Sequence, residues 1–286
     1  MKALQITCII FLLLGSSCKD PAKGDENVKY IATNLVLGHR GGGAHVEEGK
    51  IENTLASIRN GLNQLDGCEI DIQMSEDGTI WVYHDALLSY FCDSLAHQIC
   101  VPKSKDVYLH ELRQCREGIE DSLCTLEEVF QLLSQSEYRD KTLSLDIKGY
   151  FAEACFEGSS ANEAYFDDMA KHLDFLFEKY NITHQLILET DYTYILEQVK
   201  EDHPQVRCHL LAYSNFQEKL DKATEKGLDG VSCSLADTSL NFSLLQKARK
   251  QGMEVQLWTI ADSSALMKAK ALEPFAIQVD HPHLVK

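Results

Sequence analysis

The sequence has no excess of positive charge. Its 286 residues include 27 Lys and Arg against 44 Asp and Glu, and the formal net charge is −17 at pH 7. Non-specific nucleic-acid binding needs clustered basic side chains that neutralise phosphates, so this balance argues against a nucleic-acid partner. An anionic substrate would need a local positive focus instead, which a metal ion or a few well-placed cations can supply.

Several other patterns are also missing. The sequence contains no apolar run long enough to span a bilayer, no C-x-x-C pair that would suggest a structural zinc site, and no internal repeat or low-complexity tract. No G-x-G-x-x-G follows the first predicted strand, which argues against a dinucleotide-binding fold. The hydrophobic content of 44% is sufficient for a full core, in one large domain or two small ones.

The first residues form a targeting segment. Lys2 precedes an apolar stretch that ends at Leu14, which is too short to cross a bilayer but has the length of a signal-peptide hydrophobic region. Small residues follow before Cys18, as at a bacterial lipoprotein cleavage site, although Gly15 stands where such sites usually carry Leu. We therefore expect a lipidated Cys18; an ordinary signal peptide that is cut nearby is the alternative.

This interpretation sets the boundaries of the first segments. Residues 1–18 are the predicted lipoprotein-type signal peptide, and the polar residues 19–34 form a predicted solvated tether. The protein is expected to be exported, as a periplasmic or outer-membrane-anchored bacterial lipoprotein. In that location it would contact the membrane through its lipid anchor only.

If the protein is exported, its cysteines can form disulfides, because the compartment is oxidising. Two pairs are close in sequence within irregular segments, Cys92 with Cys100 and Cys115 with Cys124. Disulfides there would be compatible with export, although the pairing itself cannot be read from the sequence. Three other cysteines lie in apolar runs typical of strands and are expected to be small buried side chains: Cys68, Cys208 and Cys233.

From Val36 onward, short apolar runs alternate with amphipathic helical patterns, which is typical of α/β folds. Repeated strand–helix units of this length fit a TIM (β/α)8 barrel better than an open sheet. The link between the runs at 68–72 and 80–85 is too short for a crossover helix, so a hairpin or bare loop makes the barrel irregular. We predict a barrel domain over residues 35–286, with a small insertion at about 86–124, where no period is clear.

Charged residues stand at the ends of the predicted strands, where a barrel places its catalytic groups. His39 and Arg40 end the first strand and precede a glycine-rich loop. Glu69 and Asp71 are two apart, so both side chains project to the same side of their strand, which we take to be the barrel interior. Two carboxylates buried on one face are costly unless they are protonated, paired with cations or bound to a metal.

Two later strands add charged residues of the same kind. His84 ends the third strand, and Asp146 and Lys148 repeat the two-apart pattern. Three carboxylates suit a hard cation, Ca²⁺ or Mg²⁺, rather than zinc. Arg40 and Lys148 could hold phosphate oxygens, and two histidines can supply a general base and a general acid because their unperturbed pKa lies near neutral. The set predicts metal-assisted phosphoryl chemistry.

These residues make the sequence resemble the glycerophosphodiester phosphodiesterase family. Four motifs match in order and spacing: His39-Arg40-Gly41, Glu52-Asn53-Thr54, Glu69-x-Asp71 and His84-Asp85. Looser matches follow at residues 125–129, Asp146-Ile147-Lys148, Trp258-Thr259 and Asp280-His281-Pro282. The resemblance therefore runs from about Leu35 to the C-terminus.

The resemblance implies an irregular TIM barrel with an insertion after the His-Asp strand. It implies hydrolysis of a small-molecule glycerophosphodiester to glycerol 3-phosphate and an alcohol, with His39 and His84 as the acid/base pair. One divalent cation, Ca²⁺ or Mg²⁺, would be held by Glu69, Asp71 and Asp146, and the phosphate by Arg40 and Lys148. Further candidates for lining the site are Glu52, Asn53, Glu189 and Trp258, with Asp191 close to Glu189 in sequence.

Two departures from the family pattern bear on the substrate. Asp146 stands where the third metal ligand is usually Glu, and it is shorter by one methylene. The loop at residues 42–50 replaces a compact proline-containing link and leaves the preferred head group open. The alternatives are a phospholipase-C-like enzyme that acts on another phospholipid head group, and a catalytically degenerate binding lipoprotein. The sequence does not indicate an oligomeric state.

Overall fold

A computed structural model describes residues 35–43, 51–85, 100–105, 122–149 and 159–285. The predicted signal peptide, the tether and the lipidated Cys18 lie outside these residues, as do most of the predicted insertion and most of the loop at residues 42–50. The barrel and its strand ends can therefore be compared with the sequence, and the N-terminal predictions stay predictions.

Eight parallel strands close into a barrel. Strand β1 (Leu35–Gly38) pairs with both β2 (Gly67–Met74) and β10 (Ala276–Val279), and this double pairing joins the two ends of the sheet. The strands between them follow in chain order: β5 (Thr142–Ile147), β6 (Leu186–Thr190), β7 (Arg207–Ala212), β8 (Gly230–Ser234) and β9 (Glu254–Ile260). The predicted TIM barrel is confirmed.

Helices between successive strands cover the outside of the barrel. They are α1 (Leu55–Gln64), α2 (Leu126–Leu133), α3 (Ser159–Tyr180), α4 (Thr193–Asp202), α5 (Phe216–Glu225), α6 (Phe242–Lys250) and α7 (Ser263–Leu272). Within the described part of the chain, no helix combines the length and the hydrophobicity that a membrane span requires.

Local sequence signals determine where two of these helices begin. Thr54 precedes α1 as its N-cap residue, and its side-chain oxygen accepts a hydrogen bond from the backbone N–H of Ser57 at 3.3 Å. Thr125 and Glu128, a Thr-x-x-Glu pattern in the sequence, form a complete capping box at the start of α2. Loss of such a cap costs about 1 kcal/mol. The α1 cap directly follows Asn53, so it fixes the start of the helix beside the site.

The second strand–helix unit is irregular, as the short link predicted. Strand β3 (Ile80–Val82) runs antiparallel to β2, and β4 (Cys124–Thr125) runs antiparallel to β3. The backbone N–H of Tyr83 donates to the carbonyl oxygen of Asp71 at 2.9 Å. Because this hairpin folds back along β2, the residues after β3, which include His84, return to the level of Asp71.

Successive side chains of β2 point alternately into the apolar core and toward buried polar groups inside the barrel. Ile70 and Ile72 belong to the apolar core, whereas Glu69 and Asp71 are buried among polar groups on the opposite face of the strand. A slip of one residue would exchange the two sets, so burial of the isoleucines fixes the direction of the carboxylates. Other strands add buried polar side chains that bond to one another inside the barrel: Ser144, Glu189, Ser232, Gln256 and Gln278.

The cysteine predictions have mixed outcomes. The buried thiols predicted in strands are confirmed, at Cys68, Cys208 and Cys233. Cys124 is also a buried thiol, and its Sγ donates to the carbonyl oxygen of Asn53 at 3.5 Å. A Cys115–Cys124 disulfide is therefore wrong, because the Cys124 side chain is a thiol. Cys100 is disulfide-bonded, and its pairing with Cys92 stays a prediction because Cys92 lies outside the described residues.

Candidate active site

The carboxyl ends of the parallel strands surround a cavity of about 300 Å³. Its lining consists of His39, Arg40, His84, Asp146, Lys148, Glu189, Leu211, Tyr213, Trp258, Thr259 and Gln278. Most of the site residues predicted from the sequence are therefore together in one lining. The others, Glu52, Asn53, Glu69 and Asp71, each contact a member of it.

A tight turn after β1 brings the His-Arg-Gly motif to the cavity. Arg40 has a left-handed backbone conformation with φ 55°, and its N–H donates to Oε2 of Glu69 at 2.8 Å. Gly43 has φ 123°, and a Cβ atom there would lie 2.1 Å from the carbonyl oxygen of Asp280. Only glycine permits this approach, so the turn packs directly against the end of β10.

Each histidine of the predicted acid/base pair is bonded to its own carboxylate. Nδ1 of His39 lies 2.7 Å from Oδ1 of Asp280, and Nδ1 of His84 lies 2.7 Å from Oδ1 of Asp85. A carboxylate at Nδ1 favours the proton on that nitrogen, which leaves Nε2 as the atom that exchanges protons. Burial lowers the pKa of His84 against the opposing charge of Asp71, so its neutral form is favoured.

Three buried carboxylates form the predicted cation site. Glu69, Asp71 and Asp146 each offer an oxygen atom, and these atoms all lie within 4.8 Å of one another. Asp71 and Asp146 are register partners on β2 and β5, which explains their proximity. Oδ1 of Asp146 is buried and has no hydrogen-bond partner. An all-oxygen set with an unsatisfied buried oxygen fits a divalent cation such as Ca²⁺ or Mg²⁺.

The electrostatics of this cluster show how costly it is without a cation. Burial, and then the charges of Asp71 and other carboxylates, raise the pKa of Glu69 well above its ordinary value. Burial, together with the charge of Glu189, raises the pKa of Asp146 to about 7 against the opposing charge of Lys148. Burial would also raise the pKa of Asp71, but Lys148 and other basic side chains hold it below its ordinary value.

The two predicted phosphate ligands are bonded to these carboxylates. Nζ of Lys148 lies 2.9 Å from Oδ1 of Asp71 and 2.5 Å from Oδ2 of Asp146. The guanidinium of Arg40 donates to Oε1 of Glu52 at 2.7 Å, and its Nε lies 3.6 Å from Oδ2 of Asp71. Burial would lower the pKa of Arg40, but these carboxylates raise it above its ordinary value. The Arg40 guanidinium therefore stays charged at the cavity wall.

Asn53 holds Asp71 rather than lining the cavity. Its backbone is left-handed, with φ 58°, and its amide makes two bonds to Asp71. Nδ2 donates to Oδ2 at 2.7 Å, and Oδ1 accepts from the backbone N–H at 3.1 Å. This two-point contact fixes the orientation of the carboxylate, so the predicted site-lining role of Asn53 is replaced by a supporting one.

The far wall of the cavity is aromatic. Trp258 and Tyr213 meet edge to face, with ring centroids 5.4 Å apart, and Nε1 of Trp258 is buried without a hydrogen-bond partner. Trp258 and Glu189 line the cavity as predicted, whereas the side chain of Asp191 is exposed and is not part of the lining. Tyr213 was not predicted, because it follows β7 without a motif around it.

Comparisons with known proteins agree with this geometry. A family model described as the glycerophosphoryl diester phosphodiesterase family matches residues 39–284. A curated glycerophosphodiester phosphodiesterase from Caldanaerobacter subterraneus subsp. tengcongensis is 24% identical over 248 residues, which cover 82% of this chain and 90% of that protein.

Solved structures share the fold at low identity. A putative glycerophosphodiester phosphodiesterase from Galdieria sulphuraria has a TM-score of 0.71 at 20% identity, covering 88% of this chain and 96% of its own. A phosphodiesterase from Oleispira antarctica, solved in complex with the product sn-glycerol-3-phosphate, has a TM-score of 0.68 at 20% identity, covering 87% of this chain and 94% of its own.

Proposed function

The chain belongs to the glycerophosphoryl diester phosphodiesterase family, and from this premise we propose that it hydrolyses a glycerophosphodiester to glycerol 3-phosphate and an alcohol, with a divalent cation and a histidine pair. One observation carries the proposal. Two histidines, each bonded at Nδ1 to its own carboxylate, border a cavity beside three clustered carboxylates and two basic side chains.

Glu69, Asp71 and Asp146 would hold the cation. When bound, a divalent cation supplies Lewis-acid polarisation of a phosphate oxygen and offsets the charge that develops there. Asn53 keeps Asp71 oriented for this role through its two amide bonds. Arg40 and Lys148 supply positive charge for the remaining phosphate oxygens, and the guanidinium can bind two of them at once.

The histidines move the protons. Nε2 of one histidine takes a proton from the attacking water or substrate hydroxyl, and Nε2 of the other gives a proton to the departing alcohol oxygen. With water as the nucleophile, its P–O bond forms as the P–O bond to the alcohol breaks, and glycerol 3-phosphate is released directly. With a substrate hydroxyl as the nucleophile, a cyclic phosphate forms first, and water then opens the ring to glycerol 3-phosphate while the two histidines exchange roles. Asp85 and Asp280 keep each ring in the tautomer that this exchange requires.

A substrate panel tests the reaction. The purified enzyme is incubated with glycerophosphodiesters that differ in the alcohol, and the phosphorylated product is identified. Release of glycerol 3-phosphate is expected. Release of a phosphorylated head group would instead support a phospholipase-C-like reaction, and binding without turnover would support a degenerate binding protein. The shorter side chain of Asp146 favours a catalytically degenerate binding protein. The two histidines, each bonded to a carboxylate, favour an enzyme instead.

Asp280 gives a sharper test of the histidine arrangement. Asp280→Asn is expected to lower kcat at least about tenfold with little change in KM, because the amide no longer fixes the proton on Nδ1 of His39. Steady-state kinetics over a range of pH measure the effect. Asp229→Asn is the matched control, because Asp229 pairs with Lys200 away from the cavity. Equal losses in both variants would contradict the proposed role.

We also propose that the enzyme is exported and anchored through a lipidated Cys18. Cys18→Ala is expected to abolish incorporation of labelled fatty acid and to leave the signal peptide uncleaved, because Cys18 is both the proposed lipidation site and part of the cleavage site. Each CH₂ group that a lipid chain buries in the bilayer contributes about 0.8 kcal/mol to anchoring. Cys8→Ala is the matched control within the signal peptide and should change neither result. Incorporation of fatty acid into Cys18→Ala, or none into the wild type, would contradict the anchor.

A further inference from the structure

Glu189 is a buried carboxylate beside the cation site that the proposed mechanism does not use. It is 1% exposed, and it is the register partner of Asp146 on the neighbouring strand. Asp71, Asp146 and Glu189 therefore form a row across β2, β5 and β6. Glu189 is not among the carboxylates whose oxygens cluster within ligand distance, so it does not act as a fourth ligand in this arrangement.

Neutral groups hold the Glu189 carboxylate. Oε1 accepts from the Ser144 hydroxyl at 3.0 Å and from Nε2 of Gln278 at 2.7 Å, and Oε2 accepts from Nε2 of Gln256 at 2.9 Å. Among the described residues, no Lys, Arg or His side chain forms an ion pair with it; Arg40 and Lys148 pair with other carboxylates. Hydrogen bonds of this kind stabilise the charged form of a carboxylate without cancelling its charge.

The charges near the cavity therefore do not balance within the protein. The cation cluster and Glu189 beside it contribute four buried carboxylates, whereas in the described part of the chain two Lys or Arg side chains, Arg40 and Lys148, approach the cluster, and Arg40 also pairs with Glu52. The negative charges are therefore in surplus, and a divalent cation would offset part of that surplus. Loss of the Glu189 charge would reduce the surplus by one and leave the three ligands unchanged. The barrel interior is poorly screened, so a charge one strand away acts strongly on the site.

We propose that Glu189 is a positioning residue that acts through the Glu69–Asp71–Asp146 cluster, where its charge raises the affinity for the divalent cation without contact. Gln256, Gln278 and Ser144 are the groups that hold this charge in place. The inference rests on the proposed function, because it assumes that the cluster takes a cation.

Calorimetric titration of the metal-free enzyme with Ca²⁺, and separately with Mg²⁺, tests the inference. Glu189→Gln keeps the shape and removes the charge, and it is expected to weaken cation binding at least about tenfold. Glu189→Asp keeps the charge and shortens the side chain, and it is expected to retain most of the wild-type affinity. Thermal unfolding of the metal-free variants reports separately on folding.

Glu254→Gln is the matched control. Glu254 is also a buried carboxylate of the barrel, but it bonds to Nε2 of His209 at 2.9 Å at the start of β9 and does not line the cavity. This variant should bind the cation as the wild type does. Wild-type affinity in Glu189→Gln, or equal losses in Glu189→Asp and Glu189→Gln, would overturn the inference. A wild-type protein that binds neither cation would contradict the proposed function itself.

Discussion

Replacing either His39 or His84 by alanine is expected to lower kcat at least about a hundredfold. Positioned general acids and bases contribute typically 10²- to 10⁴-fold, and the two rings here are bonded at Nδ1 to separate carboxylates, Asp280 and Asp85. In the proposed mechanism each ring makes its own proton transfer, so neither is expected to replace the other. The measurement is glycerol 3-phosphate release under saturating substrate.

The control for this experiment is an exposed histidine away from the cavity. His184 lies in a short turn of helix before β6, and its side chain is exposed, so His184→Ala should keep wild-type turnover. Circular dichroism and thermal unfolding must show that His39→Ala and His84→Ala remain folded. Near-wild-type turnover in both variants would contradict the acid/base assignment, whatever the substrate.

Removal of divalent cations is expected to abolish activity, and addition of Ca²⁺ or Mg²⁺ is expected to restore it. The carboxylates of Glu69, Asp71 and Asp146 are buried with their oxygens within 4.8 Å of one another, and among the described residues the Lys and Arg side chains that pair with them are Lys148 and Arg40. The measurement is the rate of glycerol 3-phosphate release after chelation and again after Ca²⁺ or Mg²⁺ is added back. The same titration followed by thermal unfolding should show stabilisation, because a ligand that binds only the folded state raises the unfolding temperature.

Asp71→Asn provides the specificity control for this cation effect. The variant loses one charged ligand but can keep the hydrogen bonds to the Asn53 amide, so it should fold and lose the stabilisation by Ca²⁺ or Mg²⁺. Full activity of the wild type after chelation, with no metal found by elemental analysis, would contradict a cation requirement. Stabilisation of Asp71→Asn to the wild-type extent would contradict this ligand set.

Short-range patterns made much of this architecture predictable. The two-residue period of a strand placed Glu69 and Asp71 on one face. The length of the link after β2 predicted a hairpin or a bare loop, and the structure has a hairpin, which returns the chain before His84 to the level of Asp71. Both predictions depend on fewer than about twenty residues of chain, where geometry leaves few alternatives. The helix starts at Thr54 and Thr125 are local for the same reason.

Contacts that depend on closure of the barrel could not be predicted in this way. Asp280 is 241 positions from His39 in sequence, and its match to a family motif carried no information on its partner. Tyr213 contacts Trp258 only because their strands end at the same mouth. Cys124 illustrates the converse, because proximity in sequence suggested a disulfide, whereas in the structure its side chain is a thiol whose Sγ donates to the carbonyl oxygen of Asn53.

The bond between His39 and Asp280 joins the two ends of the chain at the proposed active site. His39 follows the first barrel strand and Asp280 follows the last, so synthesis supplies the proposed acid/base ring early and its carboxylate partner almost at the end. A chain truncated before β10 lacks the partner of His39 and the strand that joins the two ends of the sheet. Under the proposed mechanism, incomplete chains are therefore expected to have no turnover, and turnover would report that the barrel has closed.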